Sequence, residues 1–83
     1  MNSKKEIICG LKKESVLNVL NNISKGYKSK IELLSILDMG YKELTNILLG
    51  LKRKGYIKMF KFYGNDEMCY CVTVNGSILL REN

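Results

Sequence analysis

The sequence contains no histidine, no proline and no tryptophan. Histidine is the side chain that most often performs general acid and base catalysis near neutral pH, so its absence removes the commonest catalytic group. No glycine-rich phosphate loop is present, and the 8 carboxylates are dispersed along the chain. We therefore predict a protein that is not an enzyme and that carries no cofactor.

Long apolar runs are also missing. The run at residues 31–37 is interrupted by Glu32 and Ser35, whereas a bilayer span needs about 20 apolar residues. Near the N-terminus, two lysines precede an apolar run at residues 7–9 that is far too short for a signal-peptide core. These absences predict no membrane contact and a cytoplasmic location.

The composition is that of a small folded protein. The chain has 83 residues, of which 46% are hydrophobic and 27% charged, so we expect a single domain over residues 1–83. A domain of this size buries only roughly 60 to 65% of its unfolded surface, so dimerisation would add stability. Candidate residues for a dimer surface are Ile7, Ile8, Leu11, Leu79 and Leu80.

Positive charge is concentrated in two segments. The net charge is +6, with +5 in residues 1–30, −2 in 31–41, +5 in 42–61 and −2 in 62–83. A basic segment of this kind can displace counterions from DNA phosphates. The alternative for Lys52, Arg53 and Lys54 is that they complement the dipole at the end of a helix.

Residues 30–57 have the layout of a helix-turn-helix. Two short amphipathic helices flank a turn at residues 38–40, and Gly55 ends the second helix. The apolar residues of the second helix recur at helical spacing, at Leu44, Ile47, Leu48 and Leu51. Its other faces carry side chains that can contact phosphates or base edges, namely Tyr41, Lys42, Thr45, Asn46, Lys52 and Arg53.

The remaining segments complete an order of helices and strands. Helices are predicted at about 4–9, from a capping box at Ser3, and at about 13–24, burying Val16, Leu17, Leu20 and Ile23. Ser29 is expected to cap the next helix, which would bury Ile31, Leu34 and Leu37. Strands are predicted at 56–63 and 68–74, joined by a hairpin turn at 64–66. Thr73 is expected to cap a short final helix that carries Ile78, Leu79 and Leu80.

Three stretches carry a resemblance to a known family. Residues 37–46 (LDMGYKELTN) match a turn and recognition-helix start, residues 51–57 (LKRKGYI) match an exit into a wing, and residues 70–80 (YCVTVNGSILL) match a return strand and final helix. With this element order, the chain resembles winged helix-turn-helix regulators of the MarR and ArsR type. The resemblance implies an α+β fold with a three-helix core, a β-hairpin wing and a short C-terminal helix.

The same resemblance implies a mode of action. The recognition helix would enter the major groove of double-stranded DNA, where Asn46 can pair with adenine and Lys42 with guanine or phosphate. The wing would bring its polar residues near a minor groove or the backbone, and the start of the preceding helix would hold a phosphate. The implied contact residues are Ser29, Lys30, Tyr41, Lys42, Thr45, Asn46, Lys52, Arg53, Lys58, Lys61 and Asn65.

Three functions remain open on these residues. The first is a homodimeric transcriptional repressor. In size and element order the chain is also similar to TubR-type partition adaptors, which bind repeated centromere sites and couple them to a tubulin-like filament protein. The third is a protein-interaction module whose basic face docks an acidic partner.

Other side chains allow two interpretations each. Phe60, Phe62 and Tyr70 fit packing of the hairpin onto the helices better than a stacking platform for single strands. Leu49 departs from the apolar stripe and would contact a thymine methyl group or a second subunit. Cys9, Cys69 and Cys71 are interpreted as free thiols, with metal sensing or a redox switch as the less favoured alternatives.

Overall fold

The computed structural model describes residues 6–26, 28–61, 64 and 66–83. These residues form four helices and three short strands: α1 (Lys13–Ser24), β1 (Lys28–Ser29), α2 (Lys30–Ile36), α3 (Tyr41–Arg53), β2 (Ile57–Lys61), β3 (Met68–Val72) and α4 (Val74–Glu82). The strands form one antiparallel sheet in the order β1-β3-β2. The α+β fold class predicted from the sequence is confirmed. No helix within the described residues is long and apolar enough to cross a bilayer.

The core lies where α1, α2 and α3 meet the inner face of the sheet. Helix α1 has the predicted bounds, and α3 buries all four residues of its predicted stripe, Leu44, Ile47, Leu48 and Leu51. Gly55, in the link after α3, has a φ of 80°, a backbone conformation that residues other than glycine rarely adopt. Tyr70 is buried, so packing is the correct interpretation for that aromatic residue, whereas Phe62 lies outside the described residues.

The predicted N-terminal helix is wrong over residues 6–9, and its proposed cap at Ser3 lies outside the described residues. Residues 6–11 instead form turns, in which the Gly10 N–H donates to Glu6 Oε1 at 3.1 Å. This path places Ile8 in the core, where a Cβ on Gly50 would lie only 2.8 Å from its Cδ1 atom. Ile8 is therefore a core residue and is not available for a dimer surface.

The predicted buried face of α2 is also wrong in part. Ile31 is 65% exposed and Leu34 is half-buried, whereas Leu33 is fully buried. Leu37 is buried, as predicted. Because α2 has 7 residues and apolar side chains on several sides, its neighbours decide which side is buried. A similar adjustment in α1 buries Val19 and leaves Leu17 half-buried.

Helix α4 is fixed against the link between α3 and β2. The Thr73 side chain accepts from the Gly76 N–H, as predicted for a cap, and it also donates to the Gly55 carbonyl oxygen at 2.6 Å. The Thr73 N–H donates to the Tyr56 carbonyl oxygen at 3.0 Å. Gly76 lies so close that a Cβ there would collide with the same Tyr56 oxygen and with Val72.

We predict that Gly76→Ala destabilises the protein, although alanine is intrinsically the better helix former. Overpacking against a backbone oxygen should lower the free energy of unfolding by about 1 to 3 kcal/mol, measured by urea denaturation. Ser77→Ala, at an exposed position of the same helix, is the matched control and should change it little. A stabilising effect of Gly76→Ala would contradict this close packing.

Candidate nucleic-acid interface

The side of α3 opposite the buried stripe carries a row of exposed side chains. Lys42, Asn46, Leu49 and Arg53 recur at intervals of four, three and four residues, which places them on one line of the helix. All four are exposed. The row combines two cations, an amide and one aliphatic side chain, and it has no acidic member.

A second group of polar side chains flanks this row. Tyr41 is 62% exposed, and Lys30 of α2 places its Nζ atom 4.7 Å from the centre of the Tyr41 ring and 3.4 Å from the Tyr41 hydroxyl oxygen. Such a cation–π contact holds the ammonium group beside the start of α3. Thr45 donates its hydroxyl to the Tyr41 carbonyl oxygen at 2.8 Å. Lys52, one helical turn beyond Leu48, extends the same flank.

The hairpin of β2 and β3 stands next to this flank. Met59 pairs with Tyr70, and Lys61 pairs with Met68. Because side chains alternate between the faces of a strand, Lys61 projects on the same face as Met59, whereas Lys58 projects on the other face. Both lysines are exposed, but the hairpin does not bring them together. Asn65 lies outside the described residues.

A shallow cavity of about 180 Å³ separates α3 from the hairpin. Among the described residues, its charged lining consists of Lys30 and Lys52, and its apolar lining comes from both elements. It is lined by Lys30, Thr45, Leu48, Leu49, Lys52, Met59 and Tyr70. We call this feature the helix–wing groove. The sequence analysis did not identify Met59 and Tyr70 as groove residues. The spacing of two residues between Ile57 and Met59 was nevertheless a signal that both side chains lie on the inner face of β2.

Ser29 is placed differently from the other predicted contact residues. It is buried, and its Oγ atom accepts from the Glu32 N–H at 3.1 Å, while the Ser29 N–H donates to Glu32 Oε1 at 2.9 Å. This reciprocal capping box confirms the predicted cap of α2. Because the Ser29 side chain lies in the interior, Lys30 is the member of this predicted pair whose side chain reaches the surface. Phosphate binding by this pair stays a prediction.

The cysteines are in three different environments. Cys9 is exposed, Cys71 is half-buried and Cys69 is buried, and all three are free. Desolvation by burial raises the pKa of the Cys69 thiol, and the nearby Glu32 and Glu67 carboxylates raise it further. A raised pKa disfavours the thiolate that binds metals or reacts. Within the described residues, no three His, Cys, Asp or Glu side chains are grouped as metal ligands.

Comparison with known proteins relates this geometry to solved structures. A mutant of ZitR from Lactococcus lactis gives a TM-score of 0.80 at 16% identity, covering 98% of this chain and 60% of that one. A MarR mutant from E. coli complexed with operator DNA gives 0.73 at 20% identity, covering 82% and 50%. PadR from Bacillus subtilis in complex with operator DNA gives 0.73 at 18% identity, covering 83% and 45%. The chain has the winged-helix fold.

In the winged-helix fold, α3 occupies the position of the recognition helix, and the hairpin of β2 and β3 occupies the position of the wing. The sequence matches no protein-family model and no curated protein. The chain spans only 45% to 60% of the length of the three solved chains described above. At these identities the likeness establishes the fold, and the arrangement of side chains on α3 must carry the functional argument.

We predict that Ser29→Ala acts on stability, because it removes the acceptor for the Glu32 N–H at the start of α2. The free energy of unfolding should fall by about 0.5 to 2 kcal/mol, measured by thermal or urea denaturation. Ser35→Ala is the control in the same helix, since the exposed Ser35 hydroxyl only donates back to the Glu32 carbonyl oxygen. Equal stability of Ser29→Ala and the wild type would show that the cap contributes nothing.

Proposed function

We propose that this protein binds double-stranded DNA in a sequence-specific manner and acts as a homodimeric transcriptional repressor. The observation that carries the proposal is the exposed row of Lys42, Asn46, Leu49 and Arg53 opposite the buried stripe of α3. A recognition helix must present cationic and amide groups away from its own core, because base edges are read by side chains that enter the major groove.

Charge around α3 supports DNA as the ligand. Lys30, held at the start of α3 by Tyr41, and Lys52 and Arg53, at its end, lie at opposite ends of the helix. Cations placed in this way can contact the phosphates on both sides of a groove while the middle of the helix meets the bases. Glu43 is the acidic residue in the first turn, and it does not belong to the exposed row.

The solved structures add support of a limited kind. The E. coli MarR mutant and the B. subtilis PadR were both solved with operator DNA, so the same fold binds operators in those proteins. Extending that role to this chain is our inference from the exposed row. We propose a homodimer because one subunit offers a single α3, whereas an operator with two-fold related half-sites needs two.

Helix α4 and the N-terminal turns are where we place the dimer surface. Ile7, Leu11, Leu79 and Leu80 are half-buried against the core, and Val74 and Ile78 of α4 are exposed. A cavity of about 380 Å³ between α1 and α4 has Leu17 and Leu80 among its lining residues. These residues belong to elements other than α3 and the wing, so pairing through them would leave both recognition helices free.

We predict that Asn46→Ala weakens binding to the preferred DNA by about 1 to 3 kcal/mol, because a base contact is lost, with no effect on scrambled DNA. Lys52→Ala should weaken binding to both DNAs and lower the slope of log K against log salt by about 1. The preferred sequence would be selected from a randomised duplex pool, and affinities measured by fluorescence anisotropy at several salt concentrations.

Arg81→Ala is the matched control for Lys52→Ala, because Arg81 is an exposed cation on α4. It removes the same charge at a residue that does not line the groove and should leave the salt dependence nearly unchanged. Equal effects of Asn46→Ala and Arg81→Ala on selected DNA would contradict reading by α3. Stepwise occupancy of repeated sites with a bound filament protein would favour the partition adaptor. No enrichment of any duplex would favour an acidic protein partner.

A further inference from the structure

We propose that Leu49 is a specificity-determining residue that recognises the C5-methyl group of a thymine in the target site. The inference rests on the DNA-binding function proposed above and deepens it. It assigns a role to the one side chain of the exposed row that can neither contact a phosphate nor hydrogen-bond to a base.

The position of Leu49 places it at the surface of contact with DNA. It lies seven residues after Lys42, three after Asn46 and four before Arg53, so it is in the middle of the row. It is 45% exposed, whereas every residue of the buried stripe is at most 3% exposed. Its side chain therefore does not contribute to the core in the way that the stripe does. A ligand that contacts the whole exposed row therefore also contacts Leu49.

The surroundings of Leu49 form an apolar strip with cationic edges. Leu49 lines the helix–wing groove together with Met59, which is 36% exposed. Leu48 and Tyr70 supply further apolar lining, and Lys30 and Lys52 supply the charge among the lining residues that the structure describes. A purely acidic partner would leave the apolar strip unmatched, and a neutral apolar partner would leave the lysines unmatched. DNA matches both parts, because its phosphates suit the lysines and its groove contains an apolar group.

That apolar group identifies the base. In the major groove, all four bases present hydrogen-bond donors or acceptors. Thymine presents a methyl group as well, at C5. A branched aliphatic side chain gains from contact with that methyl group, while it would leave donors and acceptors of other bases without partners. Leu49 should therefore favour thymine and disfavour guanine or cytosine at its position.

Asn46 makes the assignment more specific. Three residues advance a helix by about 4.5 Å, which is close to the rise of about 3.4 Å per base pair, so Asn46 and Leu49 meet the same or adjacent base pairs. An asparagine amide pairs in a bidentate way with adenine. The two side chains together point to A·T pairs under the middle of α3, with adenine and thymine on either the same or opposite strands.

The experiment uses the full chain and duplexes that carry its selected site, with each thymine replaced singly by deoxyuridine. This change removes only the C5-methyl group. At one thymine the wild-type Kd should rise about fourfold, the factor expected for losing one buried methyl group. The variant Leu49→Ala should bind the thymine and deoxyuridine forms of that site equally, whereas Leu49→Met should keep most of the difference.

Ile36→Ala is the control, because it truncates an exposed aliphatic side chain of α2 that lies outside the exposed row, the helix–wing groove and the proposed dimer surface, and it should keep the full methyl effect. The inference is overturned if no deoxyuridine duplex binds more weakly, or if Leu49→Ala keeps the same methyl effect as the wild type. It is also overturned if Leu49→Ala changes only the dimer dissociation constant. Selection of no duplex by the wild type would overturn the proposed function itself, so the two failures are distinguishable.

Discussion

Burial of the apolar stripe of α3 is the constraint on which the candidate interface depends. Leu44, Ile47, Leu48 and Leu51 are withdrawn from water together, and each contributes about 1.5 to 3 kcal/mol relative to an exposed side chain. Turning the helix by one residue would expose part of this stripe and bury a lysine or an asparagine in its place, at a further cost. The rotation of α3 about its axis is therefore fixed, and the outward row is fixed with it.

A second constraint sets the wing relative to that row. Thr73 bonds to the carbonyl of Gly55, and Gly76 packs against the carbonyl of Tyr56, so the start of α4 holds the short link between α3 and β2. These contacts restrict the conformations that the link can adopt. The helix–wing groove is thus shaped by residues outside it, and the positions of Met59 and Lys61 relative to α3 depend on α4.

Much of this architecture could be predicted from local sequence patterns. The bounds of α1, the buried stripe of α3 and the caps at Ser29 and Thr73 follow from periodicity and from short-range hydrogen bonds, which involve residues three or four positions apart. The exposed row is the complement of that stripe, so its composition was also present in the sequence. The hairpin was predicted for the same reason, since β-branched and aromatic runs flank a glycine turn.

The sequence by itself determined which residues form each of the main helices, which side of α3 is buried and where positive charge is concentrated, because these depend on neighbours along the chain. Only the tertiary structure decided that α2 buries Leu33 instead of Ile31 and that Ile8 fills the space beside Gly50. A short helix with apolar side chains on several sides has no preferred face until other elements pack against it. The helix–wing groove likewise exists only because residues distant in sequence are brought together.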